Sequence, residues 1–281
     1  MSYRRLGFEF RMGASTIGAI VSETSDVLWE KLQPLHMPVP TRESFRSIAD
    51  DFSKIWNFPN CIGALDGKHV RIRCLKLSGS MFYNYKQYFS VVLQALVDAN
   101  YRLIAIDVGG YGKQSDGGTF QASNLYRAIL GGKIQIPAPR TLPETNVVAP
   151  FVFLADEAYP LMDFLLKPYG RGNLSLEEEC FRSRKTVECA FGILVSKWGI
   201  LDKPIKADTE LVDRRVKCVC ILHNAIIDKD GMDHNYTETE QTRSDSSVMW
   251  NRCNRPSNDT KTTRDIFTAY FSQQPLEYRE S

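Results

Sequence analysis

Three acids stand out as the residues of this sequence that could do chemistry. Asp66 closes the apolar run Ile62-Gly63-Ala64-Leu65 and precedes Gly67, and Asp156 closes the apolar run Phe151–Ala155. Glu188 sits in a helical segment next to the apolar stripe Val187, Ala190, Phe191, Leu194 and Val195. A carboxylate at the end of a buried strand is costly unless it is paired, hydrogen-bonded or metal-bound. If the two strands lie side by side, their acids converge at one edge of a sheet. A helix packed on that sheet can bring Glu188 to the same edge. Three such carboxylates repel one another, and Mg2+ or Mn2+ resolves the repulsion because hard cations prefer oxygen ligands. Two such ions ~4 Å apart activate a water and stabilise the leaving oxygen in phosphodiester cleavage. Each acid also has an ordinary role open to it. Asp66-Gly67 is a common turn pair, Asp156 can cap a following helix, and Glu188 can pair with Arg184 one helical turn away.

Other polar groups surround these three. Asp98 reads as part of a hairpin turn with Ala99 and Asn100, and Asp107 lies in a strand and can face solvent. Asp116 reads as a cap on the following helix, in a loop that could also approach the acids. After the first acid, His69, Arg71 and Arg73 alternate with Lys68, Val70 and Ile72, which puts bases mainly on one strand face. Tyr83, Tyr85, Lys86 and Tyr88 interleave aromatics with a base, a pattern that suits either a phosphate and base-stacking surface or a wet strand edge. Arg182, Arg184 and Lys185 head the Glu188 helix, where they could hold phosphates. His223-Asn224 lies in an apolar helix and reads as a satisfied core pair.

The elements that must position these residues follow from periodicity and punctuation. Tyr3–Phe10 and a segment from Ser15 to Leu32 read as two helices joined at Arg11-Met12-Gly13, either a helix-turn-helix or a plain hairpin. Residues 33–43 hold three prolines and read as a linker before a helix over Ser44–Trp56. Cys61–Cys74 reads as strand, turn, strand. Tyr88–Asp98 and Arg102–Val108 read as two further strands of an antiparallel meander. Thr119–Leu130 reads as one helix stopped by Gly131-Gly132, and residues 134–150 as irregular. Phe151–Ala155 has the wholly apolar character of a strand buried on both faces. Pro160–Leu166, Ser175–Trp198 and Thr209–Ile227 read as helices. The polar stretch 229–263 reads as poorly ordered, with a short helix over Arg264–Phe271. The sum is mixed α/β around one sheet.

The chain has 281 residues, 43% hydrophobic and 24% charged, which excludes global disorder and fibrous classes. A net charge of +2 does not announce a nucleic-acid binder, so any such contact must come from local patches. No apolar run reaches the ~18 residues of a membrane span, and Arg4, Arg5, Glu9 and Arg11 leave no room for an apolar leader. Seven cysteines without a CxxC pair read as reduced thiols of a cytosolic or nuclear protein.

The ordered series CIGALDGKHVRI, SGSMFYNYKQYFSVVLQALVDANYRLIAIDVGGYGKQSDGGTFQAS, LADEAYPLMDFLLKPY, RKTVECAFGILVSKWGIL and CVCILHNAI spans about residues 60–227. It resembles the DDE domain of PIF/Harbinger-type transposases and the domesticated nuclease-like proteins related to them. FRMGASTIGAIV resembles that family's helix-turn-helix. The resemblance implies an RNase H-like fold, a mixed five-stranded sheet flanked by helices. It divides the chain into a partial helix-turn-helix region over 1–59, a DDE endonuclease domain over 60–228 and a polar, flexible tail over 229–281. It implies metal-dependent cleavage of DNA in the nucleus, possible also in the cytoplasm. Asp66, Asp156 and Glu188 would be the catalytic metal ligands, with Mg2+ or Mn2+ as cofactor. DNA would be the substrate, a Myb-like DNA-binding protein a partner, and oligomers are compatible with it. The alternative is a domesticated DNA-binding or adaptor protein that keeps the fold without the chemistry. Ala155 stands where the family usually has glycine, FRSRKTVE is shorter than the family's Arg-rich run, and the helix-turn-helix lacks its first helix; all three acids are in place.

Overall fold

The structure is a computed structural model and describes residues 2–74, 79–167, 174–231 and 258–273, with only the backbone described for 174–182 and 258–261. Eight helices and seven strands occur among these residues. The strands β1 (Cys61–Arg71), β2 (Ser90–Val97), β3 (Leu103–Tyr111), β6 (Val152–Leu154) and β7 (Leu165–Leu166) form one sheet in the order β3-β2-β1-β6-β7. Strand β2 runs antiparallel to both β1 and β3, and β6 and β7 continue parallel to β1. With helices on both faces, this is the mixed five-stranded RNase H-like sheet. Two further strands, β4 (Arg140–Thr141) and β5 (Val148–Ala149), form a separate ribbon inside the stretch expected to be irregular.

Two apolar layers enclose the sheet. On one side, α6 (Leu174–Lys197) and α7 (Thr209–Asp230) bring Val187, Ala190, Leu194, Val212 and Val216 onto Ala64, Val70, Leu93 and Leu154. On the other, Phe45 and Ala49 of α3 (Arg42–Trp56) and Phe120 of α4 (Asp116–Ala122) pack with Ile62, Leu65, Leu96 and Phe153. The alternation of Leu65 and Leu96 to one side with Ala64 and Leu93 to the other is the period-two pleat read directly from sequence.

Of the N-terminal helices, α2 (Ala14–His36) lies along α7, and α1 (Tyr3–Phe10) packs on α2. Arg214 ties α7 to Ser22 and Asp26, and Arg215 to the Tyr3 hydroxyl. The helix α2 runs on through Pro34, where a linker was expected. Pro34 lies in the last turn, and the helix end is held by Met37 N–H to Gln33 O and by Asn224 Nδ2 to His36 O. The last helix, α8 (Asn258–Gln273), extends the expected 264–271 segment at both ends. Phe267, Tyr270 and Phe271 are buried, the two phenylalanines against Phe58, so this part of the expected flexible tail docks on the core. Residues 232–257 of the stretch expected to be poorly ordered lie outside the described residues.

Three local expectations fail for identifiable reasons. Cys61–Arg71 is one strand, not strand-turn-strand, because β2 pairs with it continuously from Ala64 to Arg71 and carries Asp66-Gly67 through as ladder residues. Pro160–Leu166 is no helix: Leu165 and Leu166 pair in parallel with Phe153 and Leu154, giving the fifth strand. The expected single helix over 119–130 is two, α4 and α5 (Asn124–Leu130), because Ser123 adopts an extended conformation and its hydroxyl caps α5 at Tyr126 N–H.

Candidate active site

The sheet register sets Asp66 beside Asp156. The parallel pair β1–β6 matches Ala64 with Leu154, and continuing that register two residues along each chain reaches Asp66 and Asp156. The strand β6 stops at Leu154 while β1 goes on to Arg71, so a notch opens beside Asp66 where its parallel neighbour has ended. Asp66 is therefore a mid-strand residue opposite Ala95 of β2, and its apparent strand-end position reflects the shorter neighbour. Gly63, at φ 151, makes the irregularity between Cys61 and Ala64, and a Cβ there would lie 2.7 Å from Leu96 Cδ1.

Electrostatics at the notch are dominated by acids. The Asp66 carboxyl accepts from Gly67 N–H at 2.7 Å. Burial foremost, then Asp156, pushes it up to about 7; Asp116 adds to this, while Arg184 and the Gly67 N–H pull it back. Asp156 accepts from Ala158 N–H at 2.9 Å in a local turn, not as the cap of a helix. Asp116 is pushed up to about 6, by burial first and Asp156 second, against Lys86. It does not cap α4, because the Ser115 hydroxyl does so at Gly118 N–H. From the first turn of α4 its carboxylate reaches the β1 backbone, where a Cβ on Gly67 would sit 2.5 Å from Asp116 Oδ1. Glycine at 67 is thus what lets this third acid approach.

Glu188 comes to the same edge from α6. Its Oε1 lies 2.8 Å from Arg184 Nη2, and Arg184 Nη1 lies 3.9 Å from Asp156 Oδ2. One half-buried guanidinium therefore links the second and third sequence-predicted acids. The ordinary Arg184–Glu188 pairing open to the sequence is present, and through Arg184 it lies beside Asp156. Lys185, the next base of that cluster, is half-buried, and the Arg182 side chain lies outside the described residues.

Beneath the acids lies a polar pair that the sequence reading passed over. Tyr159 and Gln94 are buried, and Gln94 Nε2 donates to Tyr159 Oη at 3.2 Å and to Asp116 O at 3.3 Å. Gln94 Oε1 is buried without a hydrogen-bond partner. The Tyr159 phenol is driven far up by burial first, then by Asp66, Asp116 and Asp156. The signal was legible: Gln94 is the one polar side chain in the buried strand SVVLQALV after its first residue.

The remaining residues singled out from sequence fall elsewhere. Asp98 accepts from Asn100 and Arg102 N–H in the hairpin turn, and Asp107 accepts from Asn124 N–H at the start of α5. His223 Nε2 meets Tyr101 O, and Asn224 bonds both backbone groups of Leu103, a satisfied core pair.

Among the described residues, no three His, Cys, Asp or Glu side chains gather closely enough, as placed, to hold a metal ion. The donor chemistry nevertheless suits a hard divalent cation. Asp66 and Asp156 offer oxygen ligands from adjacent parallel strands, their repulsion is incompletely compensated, and Asp116 and Glu188 flank them.

An RNase H-like sheet, with one acid in the middle of β1, a second just beyond β6 and a third on a flanking helix, is the architecture of a DDE-type domain. The chain belongs to the family of DDE superfamily endonucleases, whose match covers residues 65–224. It is 26% identical over 246 residues to an ALP1-like protein of Arabidopsis thaliana, covering 82% of this chain and 60% of that protein. It is 24% identical to Antagonist of Like Heterochromatin Protein 1 of the same plant, covering 79% of this chain and 58% of that protein. A Rattus norvegicus protein named as a candidate nuclease, HARBI1, is 22% identical, covering 82% of this chain and 63% of its own length. The chain thus spans about 60% of the length of these relatives. No solved structure matches it.

Proposed function

We propose that this chain is a transposase-derived, divalent-metal-dependent nuclease that cleaves DNA phosphodiester bonds in the nucleus, with Asp66, Asp156 and Glu188 as its metal ligands. The observation that carries the reading is the half-buried Asp66 carboxyl held beside Asp156 at an open notch, with its charged form destabilised. Such a pair is poor design for stability alone and good design for receiving a cation. Mg2+ or Mn2+ at this place would supply an activated water and neutralise charge on the scissile phosphate. The chain's own residues do the rest. Gly67 N–H orients Asp66, Ala158 N–H orients Asp156, and Gln94 fixes the backbone of Asp116 beside them. Arg184 releases Glu188 from its ion pair so that the third carboxylate can turn inward, and its guanidinium is then free to hold a phosphate oxygen. A Myb-like DNA-binding protein is the proposed partner for sequence recognition.

Arg184 also favours a second reading. If it stays locked between Asp156 and Glu188, the fold serves as a DNA-binding or adaptor protein without chemistry. A supercoiled-plasmid nicking assay with Mg2+ or Mn2+ separates the two. The nuclease reading expects nicking that EDTA abolishes and that Asp156→Ala reduces to the EDTA background. Absence of nicking in both metals, or nicking indifferent to Asp156→Ala, overturns it.

A further inference from the structure

The charge of the chain is unevenly placed. From Gly67 to Val97 there is not one Asp or Glu, while Lys68, Arg71, Arg73, Lys76 and Lys86 all fall there. With five positive charges in this segment and +2 for the whole chain, the remaining residues sum to −3. Its described residues are the outgoing half of β1, residues 79–89 and β2, so it begins at the acid notch.

The same segment displays aromatic rings in water. Tyr85 is 64% exposed and Tyr83 41% exposed, an expensive placement for large rings in a monomer without a ligand. The rings are ordered by their neighbours. The Arg71 guanidinium lies 4.5 Å from the Tyr88 ring centre, Lys86 Nζ 5.5 Å from that of Tyr85, and the His69 ring meets Tyr85 edge-on at 5.7 Å. Among the described residues, none of Lys68, Arg71 and Lys86 is paired with an acid in an ion pair. The loop itself is braced, with Lys113 N–H bonded to Met81 O and Asn84 Nδ2 to Ser90 Oγ. His69 and Arg71 lie on the same face of β1 as Gly67, and Gly67 is where Asp116 arrives. His69 is three residues beyond Asp66, roughly 10 Å along the strand and on the opposite face of β1, the face that Asp116 approaches at Gly67.

We propose that the ridge of His69, Arg71, Tyr85, Lys86 and Tyr88 is a binding site for an unpaired nucleic-acid strand, stacking a base on Tyr85 and holding flanking phosphates with Lys86 and Arg71. A duplex hides its base faces, so exposed rings interleaved with unpaired cations suit a single strand better. This inference rests on the nuclease reading only for its placement: the ridge would lay a separated strand towards the notch.

The test is fluorescence anisotropy of a labelled oligo-dT and of a blunt duplex of equal length, with the full chain in EDTA so that nothing is cut. Tyr85→Ala should weaken oligo-dT binding roughly 5- to 150-fold, the worth of one stacked base, and leave the salt slope unchanged. Tyr85→Phe should restore it. Lys86→Ala should lower the salt slope for the single strand by about 0.7. Thermal melts of each variant confirm that the fold persists. Unchanged oligo-dT affinity in Tyr85→Ala, or an equal loss on the duplex, overturns the ridge. Nicking that survives such a result leaves the nuclease reading standing, and intact single-strand binding without nicking does the reverse.

Discussion

Replacing Asp66 by asparagine should make the metal-free protein more stable at alkaline pH. The unfolded chain gives up this proton near 3.8, whereas the folded chain keeps it to about 7. Between those values the folded state binds more protons than the unfolded one, so stability falls as pH rises, and the loss is complete above about 7. At about 1.4 kcal/mol per pH unit, the interval amounts to about 4 kcal/mol. Water entering the open notch lowers that, so about 2–4 kcal/mol is the expected gain for Asp66→Asn at pH 8. Asparagine keeps the oxygen that accepts from Gly67 N–H and removes only the charge. Melts in EDTA should therefore show a midpoint raised by roughly 5–10 °C at pH 8 and little changed at pH 4. Millimolar Mn2+ should stabilise the wild type by about 2.7 kcal/mol at a hundredfold excess over its dissociation constant, and should act weakly on the variant. A gain of equal size at both pH values would refute the electrostatic cause. No gain at pH 8 would mean that Asp66 is not held against its charge at all.

Gly67→Ala should cost about 1–3 kcal/mol in urea unfolding, because a Cβ 2.5 Å from Asp116 Oδ1 must displace a carboxylate whose own backbone is pinned by Gln94; a neutral substitution would show that the approach of Asp116 is loose. Arg184→Ala should lower metal-free stability at pH 8 by about 1–3 kcal/mol and enlarge the stabilisation given by Mn2+, since it removes the cation linking Asp156 and Glu188. Unchanged stability together with an unchanged Mn2+ response would remove Arg184 from the site.

The parts of this site that sequence could show were those written in local pattern. Val152–Leu154 and Ala64–Leu65 are apolar enough to be buried strands, and an acid after each is conspicuous. Aspartate-glycine, however, is also the commonest signature of a tight turn, and only the long pairing with β2 keeps Asp66-Gly67 extended. Leu165-Leu166 was hidden for the opposite reason: two residues carry no periodicity, and their strand exists only because Phe153 and Leu154 offer a parallel edge. Asp116 looked like a cap because it opens a helix, yet Ser115 one residue earlier does the capping and frees it for the notch. Tertiary pairing decided the two strand cases, and no window of sequence contains it; the cap at Ser115 is local, and only the arrival of Asp116 at Gly67 is tertiary.

Glu188 is the acid whose role the fold leaves most to motion. The register of α6 is fixed by Val187, Ala190 and Leu194, all wholly buried against the sheet, so the helix cannot rotate to bring Glu188 further in. At one residue from Val187, its side chain leaves the helix about 100° from the core stripe and is 41% exposed. It can reach Asp66 and Asp156 only by turning about its own torsions from the flank. Arg184, one turn earlier on the same flank, occupies that path and already touches Asp156. Glu188, as the proposed third ligand, and the neutralising guanidinium would therefore compete for one side of the notch. A divalent ion that bound Asp66 and Asp156 would weaken the hold of Arg184 on Asp156 by replacing its charge. In the proposed nuclease, that exchange, rather than any shift of the helix, is the step on which activity would depend.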